Sequence, residues 1–258
     1  MRSPGHDAAC GGAPYMGAFA APPRSALLLA SSALSSGMDS LTDVLAAIEA
    51  IPEQVCAPPQ PRFLHDLCAR TSGEGEVVEI GTMSGKSTIA LAFAQKTRAG
   101  RPIHTIDIVE HPDIAANLDR TGVTDWVVRH VARSSTVVNT WTAPIELLWI
   151  DADHTYRGLL TDLRRWTPHV VPGGVVAIHD YPGFEHTDQK ALAVRRFLLT
   201  RPDRWRVISD RDAGSIFAVE RQPDADTPPP LRRAVSWMKW KVHSGRFLMS
   251  EVFDLRRG

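Results

Sequence analysis

The sequence predicts an α/β fold: a doubly wound, mostly parallel sheet of seven strands, with helices before it and a helical extension after it. Three observations carry that prediction. Short apolar runs alternate with stretches of helical periodicity from Glu76 to about Thr200. The first run, "EVVEI", ends in a glycine turn that opens a helix. The last two runs, "WRVIS" and "SIFAVE", follow one another without a helix between them, as an antiparallel edge hairpin does.

The elements are read in chain order. Residues 1–37 are rich in Gly, Ala, Pro and Ser without periodicity and read as a disordered extension. The segment "SALLLASSALSSG" within it is too short and too rich in serine for a membrane span or a secretory core. Met38 would make a natural start for the folded part. Leu41, Val44, Leu45, Ile48 and Ile51 recur at helical spacing behind Ser40 as N-cap, and a second helix is expected over Pro61 to Arg70. Strands are then expected at "EVVEI", "PIHTIDI", "WVVRHV", "IELLWI" and "GGVVAIHD". The intervening helices are "SGKSTIALAFAQKT", "PDIAANLDRTG" and "YRGLLTDLRRWTPHV", and a further one runs from about Gln189 to Thr200. Trp126 and Trp166 read as core.

The organisation is therefore an extension over 1–37, a main domain over 38–222 and a basic tail over 223–258. The tail opens with the linker "PDADTPPP" and carries seven Lys/Arg against two acids between Leu231 and Arg257, with Trp237, Met238 and Trp240. A basic amphipathic helix of this make-up suits either a peripheral membrane contact or packing on its own or a neighbouring subunit, the latter in a homo-oligomer.

Composition excludes several classes. With 29 Lys+Arg against 29 Asp+Glu the chain has no net charge to recruit nucleic acid. Cys10, Cys56 and Cys68 have no metal-ligand spacing and form no full disulfide set, which points to a reduced, cytoplasmic setting.

The turn "EIGTMSGKST" ends like a phosphate-binding loop but is one residue short. Only three residues separate Gly81 from Gly85, and Ile80 stands where the first glycine of such a loop belongs. Glu79, just before the turn, would repel a pyrophosphate. It suits an ammonium, or the turn's own N–H groups. Ser84 and Ser87 either bond a ligand or cap the helix, and Lys86 is expected to project into solvent. Asp107, at the end of the second strand and 26 residues after Gly81, is placed to accept both hydroxyls of a ribose. Arg133 and Ser134 follow the third strand, near where a purine would lie. A nucleoside carrying an amine and no phosphates fits this set, and S-adenosylmethionine has that make-up.

Asp151 closes the fourth strand and Asp180 the fifth. On neighbouring strands about 4.8 Å apart, both carboxylates point into one opening and suit a hard cation such as Mg²⁺. His179, beside Asp180, is a further candidate ligand, although imidazole favours Mn or Zn. Asp153 is a candidate general base, and His154 a candidate for acid/base work or ligation.

Together "VVEIGTMSGKSTIALA", "HTIDI" and "LLWIDADHTYRGLLTDLRRWTPHVVPGGVVAIHDY" resemble the class I S-adenosylmethionine-dependent methyltransferases. More narrowly they are similar to the small-molecule O-methyltransferases grouped with the macrocin and aminocoumarin-sugar enzymes. The resemblance covers about residues 60–220. It implies a Rossmann-like seven-stranded sheet, S-adenosylmethionine over strands one and two, and in many members a divalent cation (Mg or Mn) over strands four and five. It also implies a small-molecule acceptor and assigns the base role to the acid matching Asp153. One departure is His179-Asp180, where many metal-dependent relatives carry Asp-Asp or Asp-Asn. The rival readings are a metal-independent methyltransferase and a silent S-adenosylmethionine-binding or assembly protein.

Overall fold

The computed structural model describes residues 38–52, 56–181, 188–212 and 214–223. The extension over 1–37, the tail over 224–258 and the loop after the fifth strand around Gly183 lie outside these residues.

Two helices, α1 (Leu41–Glu49) and α2 (Gln60–Ala69), come first. Ser40 caps α1, its hydroxyl accepting the Asp43 N–H at 3.2 Å, as its position predicts. Then follow β1 (Glu76–Ile80), α3 (Lys86–Thr97), β2 (Ile103–Asp107), α4 (Ile114–Arg120), β3 (Val127–Val131), the short α5 (Ser134–Val137), β4 (Ile145–Ile150), α6 (Tyr156–Trp166) and β5 (Val170–Ile178). The chain ends its sheet with α7 (Gln189–Val194), which continues as a π-helical stretch Arg195–Leu199, and with β6 (Trp205–Asp212) and β7 (Ile216–Arg221).

The sheet has the order β3-β2-β1-β4-β5-β7-β6. The first five strands are parallel; β7 pairs antiparallel with both β5 and β6. The expected terminal hairpin is present, with β7 inserted between β5 and the edge strand β6. The order reverses between β1 and β4, so a crevice opens beyond the C-terminal ends of those two strands.

Strand alternation divides the interior in two. Val77, Leu147 and Trp149 face α1, α2 and α3, while Val78, Ile80, Leu148 and Ile150 face α6 and α7. The central strands are buried on both faces, which is why their sequences read as continuous apolar runs. Trp166 lies in the core as expected, and Trp126 packs half-buried at its margin. Boundaries differ slightly from expectation. β5 begins at Val170 because Val170 pairs with Ile145 ahead of a register irregularity. It stops at Ile178, so His179 and Asp180 stand just past the sheet. Among the described residues no helix is long and apolar enough to cross a membrane.

Candidate active site

A cavity of about 790 Å³ opens over the C-terminal ends of β1, β2, β4 and β5. That volume suits a drug-sized ligand, for which pockets of about 300–1,000 Å³ are usual. Gly81, Ser84, Ser87, Asp107, Ser134, Asp151, Asp153, His154, His179 and Asp180, ten of the eleven residues singled out from sequence, line it.

The turn after β1 owes its shape to close backbone approach. Gly81 has φ 97, and a Cβ there would collide with the Asp151 carbonyl oxygen. The Gly81 N–H donates to the Ile106 carbonyl at 2.8 Å and the Asp151 N–H to the Ile80 carbonyl at 2.8 Å, so three strand ends are stitched together here. Asp107 receives the Thr82 N–H at 2.9 Å and the Met83 N–H at 3.2 Å on one oxygen, and the Val109 N–H at 3.2 Å on the other. It shapes the loop and still faces the cavity, where a carboxylate has acceptor capacity left for a ribose. Ser84 is 1% exposed, lines the cavity, and its Oγ has no hydrogen-bond partner among the described residues. A polar ligand in the cavity would satisfy that orphaned hydroxyl, which fits an amino-acid-bearing nucleoside.

Glu79 is the exception among the eleven. Alternation along β1 turns its side chain under α3, not out to the opening. There it is fully buried and accepts hydrogen bonds from Ser87 Oγ at 2.5 Å, Thr88 Oγ1 at 2.6 Å and Thr105 Oγ1 at 2.6 Å. Burial pushes its carboxyl up from an ordinary 4.5 to about 7, against the three hydroxyls, which pull it down. The direct cofactor role expected of Glu79 is therefore corrected: it braces β1, β2 and α3 from beneath. Lys86 is corrected too. It is 6% exposed and lines the cavity, because the left-handed Gly85 starts α3 with its first side chain turned inward.

At the other end Asp151, His154 and Asp180 converge, with ligand atoms all within 4.8 Å of one another. His154 Nε2 lies 3.6 Å from Asp151 Oδ1 and 4.0 Å from Asp180 Oδ2. Asp180 adopts φ 48, a left-handed conformation that is unfavourable for a side chain and concentrates at functional sites. Two carboxylates and an imidazole are ligand types that suit a divalent cation, and the imidazole shifts the preference from Mg²⁺ toward Mn²⁺.

His154, the second histidine candidate from sequence, joins this set, and His179, the first, stands as near, with Nδ1 3.5 Å from Asp180 Oδ1. The His179 ring is 5% exposed and packs on Trp149. Its Nε2 is 3.0 Å from Gln60 Oε1 and its Nδ1 3.0 Å from Asp151 Oδ1, without hydrogen-bond alignment at Nδ1. Burial alone would raise Asp151; the His179 imidazole, Lys190 and His154 outweigh it and hold the carboxyl below its usual range. Asp153 is tied to the start of α6, accepting the Thr155 N–H at 2.8 Å, and a Cβ on Gly158 would collide with its carboxylate. It borders the cavity outside the three-residue cluster.

Three participants escape sequence reading. Lys190, on α7 and 5% exposed, donates to the His179 carbonyl at 3.1 Å and stands 3.8 Å from Asp180 Oδ2. Gln60 anchors His179 from 119 positions away and donates to Ser215 Oγ at 2.9 Å. Asp162, on α6, accepts the Ser134 hydroxyl at 2.6 Å at the cavity wall. Helical spacing from Arg157, Gly158 and Thr161, which line the same wall, is the signal that would have found Asp162.

Comparison with known proteins agrees with this geometry. A family model described as a methyltransferase domain matches residues 78–181. An uncharacterised protein of Acanthamoeba polyphaga mimivirus is 25% identical over 128 residues, which are 47% of this chain; the match spans 58% of that relative's length. Among solved structures, the O-methyltransferase TomG from Streptomyces achromogenes, in complex with S-adenosylmethionine, is 23% identical. The match covers 77% of this chain and 96% of TomG, with a TM-score of 0.54. An O-methyltransferase from Bacillus cereus in complex with S-adenosylhomocysteine is 24% identical over 70% of this chain and 90% of its own, also at 0.54. The strand order and the turn after β1 give this chain the same fold as these solved methyltransferases, and the methyltransferase-domain match runs from β1 to the end of the cavity-lining segment after β5.

Proposed function

We propose that the chain transfers a methyl group from S-adenosylmethionine to a hydroxyl of a small molecule, a sugar or glycosylated natural product, aided by a divalent cation. The observation that carries the reading is the Asp151–His154–Asp180 cluster at one end of a cavity whose other end is the Gly81 turn and Asp107. The O-methyltransferase names of TomG and of the Bacillus cereus protein support oxygen as the acceptor atom.

S-adenosylmethionine, when bound, supplies a methyl group activated by its sulfonium. A cation held by Asp151, His154 and Asp180 would lower the pKa of a hydroxyl placed beside it. The chain itself does the aligning. Ser84 and Asp107 hold the nucleoside at one end, and the cluster holds the acceptor oxygen at the other, the arrangement an in-line displacement needs. Asp153, at the same mouth, has one oxygen committed to the Thr155 N–H and the other available for the departing proton.

One observation favours a metal-free variant of the same chemistry. The buried ammonium of Lys190 already places a positive charge 3.8 Å from Asp180, and His154 Nε2 would then serve as the base. A methyl-transfer assay on candidate glycosides separates the two. Chelation should remove turnover and Mn²⁺ or Mg²⁺ restore it; turnover unchanged by chelator would select the metal-free variant. No transfer to any hydroxyl, with S-adenosylmethionine bound, would leave the silent binding protein as the reading.

A further inference from the structure

We propose that Gln60 is a positioning residue for the cation: it takes the Nε2 proton of His179 and so turns a bare Nδ1 toward an ion shared with Asp151 and Asp180. The inference rests on the divalent-cation reading above and adds to it a residue from the first turn of α2.

The His179 ring has little freedom. It is 5% exposed and packs on Trp149 with ring centroids 5.5 Å apart. The His179 backbone is held as well, its N–H donating to the Ile150 carbonyl at 3.0 Å and its carbonyl accepting from Lys190 at 3.1 Å. A neutral imidazole in such a place carries one proton, and its neighbours decide on which nitrogen. At Nε2, Gln60 Oε1 lies 3.0 Å away in hydrogen-bonding geometry. The Gln60 amide is tethered in turn, its Nε2 donating to Ser215 Oγ at 2.9 Å. A proton at Nδ1 would find no aligned acceptor. That atom is buried and has no hydrogen-bond partner among the described residues, although Asp151 Oδ1 is 3.0 Å away and Asp180 Oδ1 3.5 Å. The proton therefore belongs on Nε2 and the lone pair on Nδ1.

A lone pair 3.0 Å from a carboxylate oxygen sets acceptor against acceptor, which is costly in a buried place. A cation resolves it. Two ligands at right angles on one ion, each bonded at about 2.1 Å, stand about 3 Å apart with the ion off the line joining them. Close approach without hydrogen-bond alignment is the relation of His179 Nδ1 to Asp151 Oδ1. Histidines that bind metals donate their other N–H to a carbonyl or carboxylate, which fixes the tautomer and raises the basicity of the ligating nitrogen. Gln60 supplies that carbonyl from 119 positions away.

The test is calorimetric titration of the full chain with Mn²⁺ and with Mg²⁺. Gln60→Leu removes the acceptor and should weaken Mn²⁺ by about tenfold or more. Mg²⁺, which takes oxygen ligands, should weaken by less than about threefold. Gln60→Glu keeps an acceptor for Nε2 while losing the tether to Ser215, and should hold Mn²⁺ at wild-type affinity or better. Both variants should bind S-adenosylhomocysteine within about threefold of wild type, which marks them as folded. If Gln60→Leu does not fold, NMR of the imidazole nitrogens in the wild type decides. His179 should carry its proton on Nε2 alone, and Zn²⁺, a diamagnetic probe, should shift the Nδ1 resonance. A proton on Nδ1, equal weakening of both cations, Mn²⁺ binding untouched by Gln60→Leu, or Gln60→Glu as weak as Gln60→Leu would overturn the proposal and leave the cation reading standing. No binding of Mn²⁺ or Mg²⁺ by the folded wild type would remove the cation reading and this proposal with it.

Discussion

The two ends of the cavity are built by different means. At the β1–β2 end the shape is fixed by backbone: Gly81 lies against the Asp151 carbonyl, Asp107 gathers three loop N–H groups, and Glu79 is clamped beneath by three hydroxyls. At the β4–β5 end the shape is fixed by charge. Asp151 is drawn between His179, His154 and Lys190, and Asp180 stands half-exposed in a left-handed conformation. The contrast teaches a division of labour. A pre-set cradle suits a cofactor that is the same in every turnover. A charged, partly open end suits an acceptor whose hydroxyl must change its protonation state.

That contrast can be broken most severely at Gly81. Gly81→Ala adds a methyl group against the Asp151 backbone at a position with φ 97, where no flexible side chain can yield. It should cost about 3 kcal/mol or more of stability in urea unfolding and abolish S-adenosylhomocysteine binding. A variant of wild-type stability would show that the cradle is not fixed by this contact. Asp180→Asn should do the reverse, lowering methyl transfer by about 100-fold or more while leaving S-adenosylhomocysteine affinity within about threefold. Equal loss of binding and turnover would merge the two ends into one.

Glu79→Gln sharpens the comparison more gently, through pH. The folded protein holds the Glu79 proton more tightly than the unfolded chain does, with the carboxyl raised from 4.5 to about 7. Stability therefore falls as pH rises between those values, by about 3 kcal/mol from this group, and stays flat above them. Glu79→Gln has no such proton, so its stability should lack this fall. Parallel pH–stability curves for the two proteins would contradict the enclosed position of Glu79.

Residue pattern revealed the cradle better than the charged end. Strand alternation, the glycine turn and the acid closing β2 are local features, each tied to one element, and they gave the seven strands and most of the lining. Where local reading failed, it failed on side-chain direction. Glu79 sits in the right strand but points under α3, and Lys86 starts α3 facing inward because Gly85 takes the left-handed conformation. The charged end depends on partners far apart in sequence. Gln60 from α2 sets His179, Lys190 from α7 compensates Asp180, and the buried His179 and the exposed His154 both face the two carboxylates. No spacing rule connects those positions, so the way the two histidines flank the acids emerges only from the folded arrangement.

The central claim is that the cradle at β1–β2 holds S-adenosylmethionine independently of the acids at β4–β5. It is tested most directly by titrating S-adenosylhomocysteine into the wild type and into Asp180→Asn by calorimetry. The account predicts one site per chain in both proteins with closely similar affinity. Absence of heat with the folded wild type, or binding that vanishes with Asp180, would contradict it.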